Sequence, residues 1–340
     1  MRPKTRPLDQ NQKRGWILVS CTILLAILAV LMGLFFGSAN VSFTAFFEAW
    51  MTGDVESAAY RIVVYSRLPR VLGALLSGSA LAVAGTILQS VLQNPLASPN
   101  IIGVNNGAGL AVLLCSAFLP AYGSLLPFAA FLGALATALI IFALAMGNGA
   151  SRITLVLTGI AMSSILGAGM NCILILYPDA YIGASTFLVG GLATVTLPHL
   201  RFAAGYILVG LVLAWLMRRD MNIISLGSTT AQALGMPIAK TRFLLIFTAA
   251  ILTGAAVSFA GLLGFVGLIV PHAIRFLLGN DNRFLVPACA FGGAAFVTLC
   301  DLLSRIAFAP YEIPVGILLS FIGGPFFLYL VRKNRRASHD

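Results

Sequence analysis

RLPRVLGALLSGSALAVAGTILQSVL, residues 67–92, decides the architecture. Arg67 and Arg70 stand either side of Leu68 and Pro69, and the 22 residues that follow, 71–92, carry no charge. As a helix rising 1.5 Å per residue, that run is about 33 Å long, enough to cross the hydrocarbon of a bilayer. The same pattern recurs along the chain.

Of the 340 residues, 59% are hydrophobic and 9% charged, and mean hydropathy is +0.99. A soluble domain carries about 45–50% apolar and about 25% charged residues, so a multispanning membrane protein is expected. The net charge of +11 raises nucleic acid as a partner, but the basic residues sit at the ends of apolar runs, where membrane orientation accounts for them. Cys21, Cys115, Cys172, Cys289 and Cys300 fall inside apolar runs without metal-type spacing and read as packing residues.

Apolar runs near 16–36, 71–92, 101–119, 125–146, 153–176, 202–217, 243–264, 265–278, 284–303 and 313–331 predict ten spans. The first follows a basic tail, 1–15, with no small-residue cleavage site, and is expected to stay uncleaved. The uncharged stretch 181–198 is an eleventh candidate, but basic tails at both ends (332–340 at the other) require an even count. Its Gly and Thr content suits an outer re-entrant segment beside a protein-lined cavity. With both termini inside, every Lys and Arg except Arg61, Arg67, Arg70, Arg201 and Arg305 falls on the cytoplasmic side. The fold class is thus all-α and polytopic, a transmembrane domain over 16–331.

Residues 76–88, LSGSALAVAGTIL, match 252–264, LTGAAVSFAGLLG, at an offset of 176, and the register continues through Pro95/Pro271, Gly103/Gly279 and Asn106/Asn282. The second span enters from outside and the seventh from inside. An inverted-topology repeat is expected, with halves at about 71–176 and 243–331. Close packing of small-residue helices could produce the local match, but the register that continues past the helix favours duplication.

No Gly-Lys pair occurs, so a Walker A loop is absent. His199, His272 and His339 are scattered, no metalloprotease or nucleophile-elbow motif exists, and the acids lie near span ends. Neither an intramembrane enzyme nor a buried proton relay has a visible site.

Four segments carry candidate function. In 218–242, Ser228 or Thr229 can cap a short helix that Gly235 and Pro237 stop, a surface for a partner. In 92–109, Pro95 and Pro99 break the helix and asparagine amides can satisfy the freed backbone. The turn 146–152 leads into a span with Gly159, Ser163, Ser164, Gly167, Gly169 and Asn171, a stripe that either lines a pathway or packs helices. In 300–317, Asp301 and Arg305 stand four apart, which favours an intrahelical ion pair.

Together these segments resemble the FecCD permeases, which import ferric siderophores, haem and cobalamin within ABC transporters. RLPRVLGALLSGSALAVAGTILQSVLQNPLASPNIIGVNNGAG, GLLGFVGLIVPHAIR and EIPVGILLSFIGGPFFLYL carry the likeness, over about 60–333. The resemblance implies a multi-pass subunit of the bacterial cytoplasmic membrane, both termini cytoplasmic. It also implies a second permease copy or sister permease, two ATPase subunits that bind the ATP, and a substrate-binding protein. No cofactor or metal is implied for this chain. Arg67, Arg70 and Arg305 then match the family's docking arginines. Gly227, Ser228, Ala231, Leu234 and Gly235 match its ATPase-coupling helix, although Ser228, Thr229 and Thr230 replace the usual acids there. Ala150 and Ser151 fall near its inner gate, and the fifth span lines its path. An ion-coupled secondary transporter is the alternative, and the cargo is not readable from the residues.

Overall fold

The computed structural model describes residues 7–39, 41–100, 103–146 and 152–336, and they are helical almost throughout. In chain order the helices are α1 (Pro7–Phe35), α2 (Phe43–Thr52), α3 (Ala58–Arg61), a π-helical turn (Ile62–Arg67) and α4 (Leu68–Leu92). They continue with α5 (Val104–Phe118), α6 (Leu126–Met146), α7 (Arg152–Leu176), α8 (Ala180–Val189), α9 (Leu197–Leu216) and α10 (Arg218–Ser225). The last five are α11 (Ser228–Ala233), α12 (Ile238–Ala260), α13 (Val266–Leu278), α14 (Asn282–Ile306) and α15 (Val315–Arg336).

Seven helical stretches are long and apolar enough to cross a membrane: Gln12–Phe35, Ala58–Leu92, Gly123–Ala145, Ile153–Leu176, Leu197–Leu216, Ile238–Ala260 and Asn282–Ile306. Val104–Phe118, Val266–Leu278 and Val315–Leu330 are shorter apolar helices. Each of the ten expected spans coincides with one of these ten. The eleventh candidate contains only the ten-residue α8, which at about 15 Å is too short to cross.

The core forms around α4, 83% of whose most apolar stretch is buried, against 67% for α12 and α14. Contact this close depends on bare backbone. A Cβ on Gly78 would stand 2.2 Å from the Gly293 carbonyl oxygen, and one on Gly85 would stand 1.9 Å from that of Gly267. Gly78 and Gly85 lie two turns apart on one face, so α14 and α13 dock successively against α4.

Three helix breaks meet near one end of the bundle and satisfy one another. Gly191 N donates to Ala260 O (3.0 Å), Leu262 N to Phe187 O (2.9 Å), and Gly316 N to Gly190 O (3.1 Å). Interrupted helices are tolerated in a membrane protein on this condition. Beside them lies a cavity of about 190 Å³, bounded in part by Gly183, Thr186, Gly191 and Thr194 of the uncharged stretch 181–198.

Helix directions follow from end contacts. Gly73, near the start of α4, faces Phe259 near the end of α12, while Gln93 at the far end reaches the Ile224 carbonyl of α10. The two helices that carry the 76–88 and 252–264 match are therefore antiparallel. Beyond Gly85 and Gly261, however, the unbroken register lays helical residues of α4 on the break 261–265, and the turn 93–103 on α13. Gly103 and Gly279 still coincide as positive-φ residues (77° and 76°), but Gly103 is the N-cap of α5 and Gly279 the C-cap of α13. Past the first match, the continued register therefore aligns residues in different local structures.

Candidate functional site

Two polar constellations occupy opposite ends of α4. At its first turn, the π-helical segment and α4 present Arg67 and Arg70, and the last two turns of α14 present Asp301 and Arg305. Arg70 Nε donates to Asp301 Oδ1 (2.8 Å) and Oδ2 (3.0 Å), and Arg70 Nη1 to Glu312 Oε2 (2.5 Å). Arg305 Nε pairs with Asp301 Oδ2 at 3.2 Å, the expected intrahelical ion pair. Ser38 Oγ donates to Glu312 Oε1 (2.8 Å).

The remaining guanidinium capacity turns to the end of α1. Arg67 Nη1 donates to Leu34 O (3.0 Å) and Phe35 O (2.8 Å), with a further bond from Nη2 to Ala39 O. Arg305 donates to Gly33 O (3.2 Å) and Phe36 O (3.3 Å). A helix C-terminus exposes unpaired carbonyls and the negative end of the helix dipole, so two cations stabilise it there. Gly37 admits them, since a Cβ at that position would meet both Arg67 and Arg305 at 3.2 Å.

The structure therefore brings Arg67, Arg70 and Arg305 together, but not as a free basic surface. They are 4%, 8% and 3% exposed, and each is bonded within the chain. Burying a guanidinium without a partner is costly, so the fold supplies two carboxylates and five carbonyls. The exposed cations at this end are Arg61, paired with Glu56 at 3.3 Å, and Arg201. Glu312, in the loop 310–314 outside the spans, is the accessible carboxylate of the cluster, its side chain 32% exposed. Burial pushes its carboxyl up, yet hydrogen bonds from Arg70 and Ser38 prevail and hold it below the ordinary 4.5.

At the other end, α10 and α11 lie beneath α4 and α12. Gln93 Nε2 bonds Ile224 O, Asn222 Oδ1 accepts from Asn282 N (2.9 Å) and Nδ2 (2.8 Å), and Asn222 Nδ2 donates to Asp281 Oδ1 (2.9 Å). Arg242 Nη2 donates to Ser228 Oγ (2.8 Å), fastening α11 to α12. Gly227, not Ser228 or Thr229, is the N-cap, with φ 113°. A positive φ there and at Gly235 (79°) is a conformation that favours glycine. Ala231 is fully buried, and Leu226 and Leu234 stand out, 63% and 62% exposed. The preceding helix α10 was not anticipated, although its apolar residues Met221 and Ile224, three apart and both buried, mark one face.

Ala150 and Ser151 lie outside the described residues. On α7, Ser163 faces α5, where Asn106 Nδ2 donates to its carbonyl (2.9 Å) and its Oγ stands 2.6 Å from the place of a Cβ on Gly103. Ser164 and Asn171 lie on the exposed face, and a Cβ at Gly167 would meet nothing. The small stripe thus divides between packing and an open face. In the turn after α4, Asn94 Oδ1 accepts from Leu96 N (2.9 Å), as expected of asparagines beside prolines.

Ten apolar helices around a small-residue core, with a short helical pair projecting at one end, define a polytopic α-helical permease. The profile of the FecCD transport family matches residues 24–333. The hemin transport system permease protein HmuU of Yersinia pestis is 38% identical over 321 residues, covering 92% of this chain and 95% of that protein. The ferric enterobactin transport system permease protein FepD of Escherichia coli (strain K12) is 35% identical over 323 residues, covering 94% and 96%. Among solved structures, an inward-facing metal-chelate type ABC transporter superposes with a TM-score of 0.81 at 28% identity, over 94% of this chain and 99% of that one. The chain belongs to the FecCD transport family.

Proposed function

We propose that the chain is the permease subunit of an ATP-driven importer of a ferric siderophore, delivered by a substrate-binding protein at the arginine end and powered by ATPase subunits at the α10–α11 end. The observation that carries this reading is the projecting α11, with Leu226 and Leu234 exposed on either side of a helix that Ala231 and Arg242 fix to the bundle. Apolar side chains that stand clear of the bundle at this end fit a partner's groove. The relatives are named as permeases for hemin and ferric enterobactin, which supports an iron chelate as cargo. A shift of α11 reaches the core through Arg242 on α12 and through Ile224 to Gln93 on α4, so ATP-driven closure below biases the helix arrangement above.

The buried cluster changes how docking is read. A binding protein's carboxylate reaches Arg70 by exchanging with Glu312, an internal acid already in that place, so Glu312→Ala should tighten binding-protein affinity. Unchanged or weaker affinity would confine the three arginines to a structural role. The function itself is tested by reconstituting the chain with a co-purifying ATPase in liposomes and adding siderophore-binding proteins. Stimulated ATP hydrolysis with uptake of the ferric chelate is the expected result. Uptake that follows an ion gradient without any ATPase would instead establish a secondary transporter.

A further inference from the structure

The segment between α1 and α4 has three distinct faces along α2. Phe46, whose ring meets Phe35 of α1 and Tyr60 of α3, and Ala49 are buried, and Thr44, Glu48 and Thr52 form a polar arc. Between them Phe43, Phe47, Trp50 and Met51 are 59%, 51%, 62% and 72% exposed. At 100° per residue these four occupy an arc of about 100°, the apolar stripe of an amphipathic surface helix, here on a face that already lies outside the core. No charge falls on that arc.

The stripe continues a surface that is already lipid-facing. Along α1, Leu24, Leu28, Leu31 and Met32 are exposed on a helix of spanning length. At the end of α1, the Phe35 ring packs on Phe43 with centroids 4.9 Å apart. The Arg67 and Arg305 bonds to α1 carbonyls fix this junction at the level where the spans end. Trp and Tyr concentrate at that level of a bilayer, because the ring is apolar and its polar edge needs water.

We propose that α2 is an interfacial anchor whose exposed aromatic face lies in the headgroup–acyl boundary of the bilayer at the arginine end of the bundle. A helix with this distribution rests in the membrane plane, its apolar face about 5–10 Å into the boundary. The polar arc of Thr44, Glu48 and Thr52 then faces water or headgroups. Burying the stripe against lipid removes from water the aromatic surface that the fold leaves uncovered. The inference does not depend on which solute the chain carries.

The chain holds three tryptophans, Trp16, Trp50 and Trp215, so Trp16→Phe with Trp215→Phe leaves Trp50 as the reporter. Reconstituted at full length in phosphatidylethanolamine–phosphatidylglycerol liposomes, Trp50 should lose emission to a lipid nitroxide near the headgroup, lose less to one deep in the chain, and resist aqueous iodide. Quenching by iodide with no effect of either lipid nitroxide overturns the proposal. So does shielding that appears only on addition of a soluble binding protein, which would mark a protein dock. Should the double variant misassemble, the unmodified chain can be photolabelled with a diazirine lipid. Adducts within residues 43–51 are expected, and their absence while α1 is labelled overturns the anchor.

Discussion

Asp301 is the residue on which the outer cluster turns. It is 1% exposed and accepts from Arg70 and pairs with Arg305, so Asp301→Ala would leave two buried guanidiniums short of their counterion. Removing one partner of a buried ion pair costs about 3–5 kcal/mol. The expected outcome is a large drop in melting temperature and in folded yield, read by thermal unfolding of the purified protein. Glu312 gives a milder, pH-dependent effect. Its carboxyl is held below the ordinary 4.5, so the stability it contributes is present above that value and is lost as pH falls through the lower folded value. Unfolding measured across the acid range should show this slope, and Glu312→Gln should flatten it. The arginine motif was conspicuous in the sequence, and so was the Asp301–Arg305 pair, because both are local. The partners of Arg67 were not, since backbone carbonyls at the end of α1 carry no side-chain signature. Gly33, in the last turn of α1, and Gly37, just past its end, were the trace of a close approach there.

Among the helices, the same logic separates what periodicity reveals from what it hides. Apolar length located the seven helices of spanning length and the three shorter apolar ones, because span length is set by the bilayer. The small residues of α4 also announced close packing, and the structure names the partners as Gly293 and Gly267. Gly78→Val should force α4 and α14 apart, since even a Cβ there approaches backbone within 2.2 Å. Overpacking of this kind costs about 1–3 kcal/mol or more, measurable as a lower melting temperature. Past the first match the register pairs Gly103, which caps the start of α5, with Gly279, which caps the end of α13, since a positive-φ glycine serves a helix end of either kind. α11 behaves oppositely to α4, because its exposed leucines contribute little to the fold. Leu234→Ala, at a residue 62% exposed, should therefore leave melting unchanged while weakening ATPase capture, read by co-purification. Loss of stability without loss of capture would contradict the assignment of α11.

For the molecule as a whole, burial is uneven. The most apolar stretch of α7 is only 6% buried and that of α4 83%, and the exposed face of α7 includes Ser164 and Asn171. An amide at membrane depth is poorly served by hydrocarbon, so this face belongs against protein or water. Two copies of the chain, or one with a sister chain, are the expected assembly, and native mass spectrometry from lipid nanodiscs would count them. A single copy retaining transport would remove the argument for a shared pathway. Composition foretold the membrane, but the contrast between α4 and α7 was invisible in it, because both helices are uncharged and rich in small residues along most of their length.

That contrast has a mechanical side. A helix gripped on all faces can move only if its neighbours move too, whereas α7 leans chiefly on α5, α6 and the short α8 and leaves most of its circumference without anchorage in its own subunit. Few contacts of its own subunit hold it, so its position depends more than that of α4 on what stands opposite. The most and the least held of these helices are thus made from nearly the same amino acids, and differ in how many sides are held.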